Sequence, residues 1–411
     1  MNRIILFLTF SVLFHFTVYS QNTLHEFLDY ALNNSPAILA QKNNLKLNSL
    51  DSSLFRASLK TQVSSQNEGL YYPIIQGIGY DEIITNGQQL GLLISFDKQI
   101  LFKGQMNANL NSFDISRDIA RNALRISKKD LTRTITDLYL TAYGDYLQWQ
   151  YNDKVLNLYR QEDTVLQALT RSNIYRQNDY MVFLTELHKQ QLNTGNALMQ
   201  YKTDLMNLRY ESGIRDTIIV NLQDPGLQPK PPAGRQQSVL FRQFTLDSLQ
   251  LINDTELIRA SYQPHLQFHA DAGYLSSLVV TPYKNFGAGA GVSLVIPIYD
   301  GKGEQLKIDK VHVQQDNLLS KQSYFENQYD LQTRQIHSLI GDLQKQNNEI
   351  SGQLGFYDRL IEADKKLISD GQLDILQYFV VIQNYLDLKN QETINRTKIS
   401  MLINQLNYLA D

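Results

Sequence analysis

The sequence of 411 residues contains no cysteine and a single tryptophan. Without cysteine, neither a disulfide framework nor a lipid-modified N-terminal cysteine is available, so stability must come from packing and assembly. Proline is scarce as well: none of the nine prolines lies between Pro73 and Pro225, and none follows Pro297. Glycine is sparse through most of both stretches. Because proline and glycine are the residues that interrupt helices, these two stretches predict long helices.

A strong net charge is also lacking. The chain has 38 basic and 41 acidic residues, which gives a formal net charge of −3. Nothing in this balance indicates a nucleic-acid partner. Aromatic residues are plentiful, with 24 tyrosines and 17 phenylalanines, and this excess suits the aromatic girdles of membrane barrels as well as the seams between helices.

The one long apolar run lies at the start of the chain. Arg3 supplies a positive charge, and residues 4–16 are almost wholly apolar. This pattern is typical of an export signal, so we expect residues 1–20 to be a signal peptide and the mature chain to begin at Gln21. No later segment approaches the roughly 20 apolar residues of a spanning helix. A membrane crossing would therefore use strands, which span a bilayer only as a closed barrel.

The chain repeats one arrangement twice. Phe55–Ser58 precedes a predicted strand pair as Ile258–Ser261 precedes another, and Leu101–Gly104 closes the first pair as Ile298–Gly301 closes the second. A long helical stretch follows each pair. An internal duplication of this length predicts two similar structural repeats.

We place the first repeat at residues 21–237 and the second at 238–411. Each contains a helix, two strands and a long helical hairpin. The first begins with a predicted helix, Leu24–Leu59, that is broken at Asn34–Pro36. A proline-rich linker, Asp224–Gly234, joins the repeats.

Period-2 alternation predicts four strands. In the first repeat they cover Gln62–Ile75 and Gln88–Ile100, with a loop at Gln76–Gly87, and in the second they surround a loop at Leu275–Asn285. Apolar residues alternate with polar residues or glycines in the second pair, at Leu266, Phe268, Ala270, Ala272, Tyr274, Ala288, Ala290, Val292, Leu294 and Ile296. The smallest membrane barrels have about eight strands, so four cannot close one. The barrel must be assembled from several chains.

Two helical hairpins follow the strand pairs. The first arm, Lys103–Asn173, returns through Tyr180–Ser212, and the second, Lys302–Ser369, returns through Leu373–Tyr408. At 1.5 Å per residue, each arm would be on the order of 100 Å long. The second arm carries a heptad seam with alternating steps of three and four residues. Its members are Ile336, Ile340, Leu343, Ile350, Leu354, Tyr357, Ile361 and Ile368, with polar breaks at Asn347 and Asp364.

Three sequence patterns stand in a fixed order on this scaffold. They are the box after each strand pair, Leu101–Gly104 and Ile298–Gly301, the hairpin-tip pattern Gly371–Leu376, and the C-terminal stretch Leu402–Asn407. Together they resemble the TolC family of outer-membrane efflux proteins of Gram-negative bacteria, whose strand-exit box is LFDGG. The resemblance covers nearly the whole mature chain. Lys103 departs from it, because the family usually has an acid at that position.

The resemblance implies a mixed α/β membrane protein with a TolC-like α/β-barrel. Three protomers of a homotrimer would contribute four strands each to a twelve-stranded barrel in the outer membrane. Long coiled-coil helices would continue the barrel through the periplasm. No cofactor is implied.

The implied function is a passive exit duct. An inner-membrane pump and a periplasmic adaptor protein would deliver the substrate to the channel, and outer-membrane lipid would surround the barrel. The exit duct of a type I protein secretion system is an alternative within the same architecture. A coiled-coil surface adhesin or scaffold is a rival from another class, but a fibrous stalk needs one anchor rather than two strand pairs between helices.

The resemblance points to the second hairpin tip as a periplasmic gate. Asp374 matches an acidic position of the family, and Gln377 lies three residues further along one helix face, so copies of both would form rings in a trimer. Converging carboxylates favour cations. Alternatively, Asp374 caps the helix. Asn178 stands where the second repeat has Gly371, and both are candidate adaptor contacts.

Other residue groups indicate neither catalysis nor metal binding. His265 and His269 share a strand face, but the sequence offers no third ligand nearby. Gly287–Gly291 lacks the lysine and serine of a phosphate loop and suits a tight barrel wall instead. Because no nucleophile elbow, redox cysteine or catalytic carboxylate pair is recognisable, the sequence predicts no enzyme.

Overall fold

The structure, a computed structural model, describes residues 22–231, 234–235, 237–279, 281–369, 372 and 375–410. The expected signal peptide, residues 1–20, lies outside the described residues. In chain order the elements are α1 (Leu24–Asn34), α2 (Pro36–Ser58), β1 (Gln62–Tyr71), α3 (Glu82–Thr85), β2 (Gln88–Ile100), α4 (Lys103–Arg171), α5 (Gln177–Ser212), α6 (Val239–Ser261), β3 (His265–Ser276), β4 (Phe286–Val295), α7 (Gly303–Ser369) and α8 (Ile375–Ala410).

The chain divides into two compact units. Unit 1 contains the residues up to Ser35 together with Leu131–Lys230 and Ile336–Asn407. Unit 2 contains Pro36–Asp130, Pro231–Gln335 and the last residues of the chain. The long arms α4 and α7 each contribute to both units, whereas all four strands belong to unit 2.

Unit 2 is built around one antiparallel sheet with the order β1-β2-β3-β4. The observed β2 has the predicted bounds, but β1 ends at Tyr71 and not at Ile75. Pro73 explains this error, because proline has no N–H to donate to a neighbouring strand. The predicted loop at Gln76–Gly87 contains the short helix α3, and the second loop contains a 3-10 turn at Pro282–Lys284.

Buried amide side chains join α6 to α4 in unit 2. Gln105 donates to the carbonyl of Ala260 (3.1 Å), and Asn122 donates to the carbonyl of Val239 (3.0 Å). Between them, Asn253 donates to a carbonyl of α4 (3.2 Å). α4 and α6 run antiparallel, and these bonds fix how far one helix is shifted along the other. Because an unpaired buried amide is costly, a different shift between the two helices would be less stable.

The two strand-exit boxes share a sequence pattern but begin their helices differently. In the second repeat, the Asp300 carboxylate accepts from the backbone N–H of Glu304 (2.6 Å) after a left-handed turn, so α7 starts beyond the box. Lys103 occupies the equivalent place in the first repeat and has no acceptor to offer. There α4 starts within the box, and the side chain of Gln105 accepts from the N–H of Phe102 (3.0 Å) instead.

Unit 1 is a bundle of helices with two apolar clusters. One cluster joins α1, α4, α5 and the segment after α5, and Phe27, Tyr139 and Tyr201 are its largest fully buried members. The other cluster joins α4, α5, α7 and α8 around Phe183 and Tyr378. The predicted heptad seam of α7 is confirmed, because every one of its positions, including the polar breaks Asn347 and Asp364, is buried or half-buried.

The first hairpin turns between α4 and α5. Asn173 has the left-handed backbone of this turn (φ 60°). The return helix starts at Gln177, about one turn before the predicted Tyr180, since Arg176 has extended backbone and ends the turn. Asp179 in the first turn of α5 interacts favourably with the helix dipole.

Candidate functional site

The four-stranded sheet has two chemically different faces. Cross-strand pairs such as Phe96 with Ala270, and Ala270 with Ala290, place small and large apolar side chains together on one face. That apolar face comprises Leu92, Ile94, Phe96, Leu266, Phe268, Ala270, Ala272, Tyr274, Phe286, Ala288, Ala290, Val292 and Leu294. The opposite face, called the polar face here, carries mostly polar residues and glycines, with Leu70, Leu93 and Val295 among its apolar members; its polar residues include Gln62, Ser64, Gln66, Glu68, Ser95, Asp97, Gln99, Gln267, His269, Asp271 and Ser293, and β4 adds a row of glycines.

Among the residues that the structure describes, none covers the centre of the apolar face. Leu92, Ile94 and Phe96 on the central strand β2 are 47%, 51% and 41% exposed. The outer strand β1 contributes polar residues to this otherwise apolar face. Ser65 and Asn67 lie there, and the Ser65 hydroxyl donates to the Asn67 side chain (3.3 Å). An apolar face of this extent marks a surface that contacts lipid or another protein.

The sheet also has two open edges. β1 pairs only with β2, and β4 pairs only with β3, among the residues that the structure describes. Each edge therefore presents a row of backbone donors and acceptors that another strand can pair with.

The two candidate histidines do not come together. The Nδ1 of His265 lies 3.4 Å from the side-chain nitrogen of Gln105, and its Nε2 lies 3.2 Å from the carbonyl of Ser261. His269 instead contacts the carboxylates of Asp97 and Asp271. Within the described part of the chain, no group of three or more histidine, cysteine or acidic side chains is placed to hold a metal ion.

The structure describes only part of the predicted gate and adaptor contacts. Asp374 and Gly371 lie outside the described residues. Gln377 is exposed near the start of α8, where the neighbouring Tyr378 and Phe379 are buried. Asn178 is exposed in the first turn of α5, so it lies next to the first hairpin tip but not at its left-handed residue.

A carboxyl pair that the sequence did not reveal lies in unit 1. Asp145 on α4 faces Asp204 on α5, and burial, followed by the hydrogen bond and repulsion from Asp204, raises the pKa of Asp145 to about 7. Asp204 accepts hydrogen bonds from Gln200 (2.7 Å) and Asn207 (3.2 Å). Burial disfavours the charged form of Asp145, which is therefore the carboxyl of the pair that holds a proton. No spacing rule could have paired two residues on different helices.

None of the helices in the described part of the chain is long and apolar enough to cross a bilayer.

Comparisons with known proteins identify the fold. No protein-family model matches the sequence, and no curated protein matches it. Solved structures do. The outer membrane protein VceC of Vibrio cholerae has a TM-score of 0.74 at 11% identity, over 94% of this chain and 96% of that one. A membrane protein from Pseudomonas aeruginosa scores 0.73 at 13% identity, over 94% and 93%. The Campylobacter jejuni CmeC outer membrane channel scores 0.73 at 11% identity, over 94% and 85%.

At such low identity these likenesses concern the fold alone, and the fold of this chain is that of the outer membrane protein VceC and of the CmeC outer membrane channel. The TolC-like architecture predicted from the sequence is thereby confirmed, with four strands and two long helical hairpins in one chain.

Proposed function

We propose that the protein is an outer-membrane channel, the passive exit duct of a tripartite export system. The observation that carries this proposal is the sheet of unit 2, whose faces differ in polarity and whose edges are both open. In hydrocarbon, each unpaired backbone group of an open edge costs several kcal/mol, so the edges must pair with strands of other copies. Three copies supply twelve strands, enough to close a barrel with its apolar face toward lipid.

The distribution of polar residues supports a water-filled interior. On β3, Gln267, His269 and Asp271 point to the polar face, and on β4 the same face carries glycines and Ser293. A barrel closed from this sheet would place these residues around its lumen. Small residues along one strand keep the lumen open, which suits a duct for bulky substrates.

The partners follow from the passive character of the channel. We assign the barrel to the outer membrane and the helical hairpins to the periplasm. An inner-membrane pump would supply the energy, and a periplasmic adaptor would contact the hairpin tips near Asn178 and Gly371. Asp374 and Gln377 would form the periplasmic gate. Under this proposal the protein carries out no reaction of its own.

Surface labelling of epitope insertions tests the proposed location. Thr85 lies in the loop between β1 and β2, and Lys284 lies in the loop between β3 and β4, at the same end of the sheet. A short epitope inserted at either residue is therefore expected to be labelled on intact cells. An insertion at Gly226, exposed in the linker between the repeats, is the matched control and should be labelled only after permeabilisation. Labelling of Gly226 but not of the loops on intact cells would reverse the topology and refute the proposal.

A further inference from the structure

The charged side chains of the four strands are distributed unequally between the two faces of the sheet. The three carboxylates, Glu68, Asp97 and Asp271, all lie on the polar face, whereas the one lysine, Lys98, lies on the apolar face beside Phe268. The polar face therefore has no permanent positive charge to balance its acids. Histidine is the only residue type on that face that can supply one.

His269 lies between two of these carboxylates. Asp97 is its cross-strand partner on β2, and the His269 Nδ1 lies 2.8 Å from an Asp97 oxygen. On the other side of the ring, Nε2 lies 3.5 Å from an oxygen of Asp271, two residues along β3. Gln267 adds a weak hydrogen bond to the same Asp97 oxygen (3.4 Å).

The two carboxylates fit the ring best in its imidazolium form. Ionised carboxylates accept hydrogen bonds but donate none, so the 2.8 Å contact with Asp97 is satisfied when Nδ1 carries a proton, and a second proton on Nε2 would face Asp271 at 3.5 Å. Both nitrogens are protonated only in the imidazolium form. In that form the cluster of Asp97, His269 and Asp271 has two negative charges and one positive charge, and loss of one proton from the ring makes the cluster more negative.

The neighbouring strands bring no other titratable group against the ring. On β4 the residue opposite His269 is Gly291, and Gly289 lies so close to Asp271 that an added Cβ would stand 3.2 Å from its carboxylate. On β1 the polar face opposite β2 carries Gln62 and Ser64 at this level. Glu68 lies further along the sheet, opposite Gly91, and His265 makes its contacts with Gln105 and Ser261.

We propose that the cluster of Asp97, His269 and Asp271 contributes to the charge selectivity of the channel, and that His269 makes this contribution depend on pH. The inference rests on the proposed function, because only a closed barrel places the polar face around a lumen. Charged rings in a pore wall attract counter-ions, so small cations are the favoured solutes. Histidine ordinarily changes its charge between about pH 5 and 8, and cation preference should therefore rise as the pH rises through that range.

Reversal potentials of single channels in planar lipid bilayers under a KCl gradient test this inference. The wild-type channel should prefer cations, and more strongly at about pH 8 than at about pH 5. In His269→Gln the difference between the two pH values should be lost, with the higher cation preference present at both. Asp97→Asn and Asp271→Asn should lower cation preference. Glu68→Gln is the matched control: it removes a carboxylate from the same face and should leave the pH-dependent change intact.

Three outcomes would overturn the inference, and they can be told apart. If wild-type and variant channels conduct but His269→Gln keeps the wild-type pH response, the cluster does not set it and only this inference fails. If folded wild-type protein forms no channels, the proposed function fails as well. Nitrogen NMR of the labelled His269 ring supplies a readout independent of conductance: protons on both nitrogens are expected at about pH 5 and the loss of one of them at about pH 8, and an unchanged ring between these pH values would overturn the inference.

Discussion

The hydroxyl of Tyr139 on α4 donates a 2.7 Å hydrogen bond to the backbone carbonyl of Gln223, in the segment that links the two repeats. The carbonyl of Asn22, just before α1, lies 2.8 Å from the same hydroxyl, and the N–H of Gln223 donates back to it (3.2 Å). One buried side chain thus ties three distant parts of unit 1 together.

We expect Tyr139→Phe to destabilise unit 1. The Tyr139 side chain is fully buried, and removing its hydroxyl takes away the donor to the Gln223 carbonyl, at a cost of about 0.5–1.5 kcal/mol, whereas the Gln223 N–H still donates to the carbonyl of Asn22 (3.0 Å). Denaturant unfolding in detergent, followed by circular dichroism at fixed protein concentration, measures the change. Tyr210→Phe, at a residue that is 83% exposed, is the control and should change stability by less than about 0.5 kcal/mol. Equal midpoints for the two variants would contradict this role of Tyr139.

The Asp145–Asp204 pair predicts a pH dependence of stability. The pKa of Asp145 is raised to about 7 in the folded protein, whereas an aspartate in the unfolded chain has a pKa of about 4. Between these values the folded state binds more protons than the unfolded state, so stability falls as the pH rises from about 4 to 7. Asp145→Asn keeps the shape and cannot ionise, so it should weaken this dependence and raise the melting temperature at neutral pH.

Melting temperatures measured from acid to neutral pH test whether Asp145 causes this pH dependence of stability. Asp153→Asn, on the same helix and at a residue hydrogen-bonded to the nearby Asn157 (3.3 Å), is the matched control and should keep the wild-type pH dependence. If the melting temperatures of Asp145→Asn and of the control depend on pH in the same way, the carboxyl pair does not hold the extra proton.

Gly144 marks a close approach between α4 and α8. A Cβ at this position would stand 2.9 Å from the hydroxyl oxygen of Thr397 and 3.2 Å from its methyl carbon. We expect Gly144→Ala to be destabilising by about 1–3 kcal/mol, although alanine favours helix more than glycine does. Gly195 on α5 has open space around it, so Gly195→Ala should stabilise by about 0.5–1 kcal/mol. The pair is compared by chemical denaturation, and adding Thr397→Ala should restore stability to Gly144→Ala; a stabilising Gly144→Ala would refute the contact.

The sequence predicted the fold well because its signals are periodic and local. Steps of three and four residues identified the α7 seam down to its polar positions, such as Asn347 and Asp364, and period-2 alternation identified β2 at both ends. The predicted end of β1 at Ile75 was wrong because the apolar pattern continues past Pro73. The pattern of apolar and polar residues does not take into account that proline has no N–H to donate to a neighbouring strand.

The sequence could not predict side-chain partners that come from distant parts of the chain. His269 and Asp97 are 172 positions apart and meet only through the register of β2 and β3. The same holds for Asp145 and Asp204, which meet through the packing of α4 on α5. The sequence shows His269 next to His265 on one strand face, but it cannot show that Asp97 lies across the sheet, because Asp97 is far away in the chain.

The proposed gate at the second hairpin tip predicts how substitutions of Asp374 change the cation preference of the channel. Asp374→Asn removes a carboxylate from each chain while keeping its shape, so it should lower the cation preference of channels in planar bilayers, and Asp374→Lys should invert it. Gln377→Glu should act in the opposite direction, because it adds a carboxylate one helical turn away. Unchanged selectivity in all three variants would return Asp374 to the role of a helix cap.

The number of chains in the folded particle tests the central claim most directly, because a four-stranded sheet with two open edges cannot form a barrel alone. Native mass spectrometry of protein extracted from membranes in mild detergent measures this number without a label. The account predicts three chains per particle, in which β1 of one copy pairs with β4 of the next. A stable, folded particle of one chain would contradict it, since the edges of β1 and β4 would then need no partner.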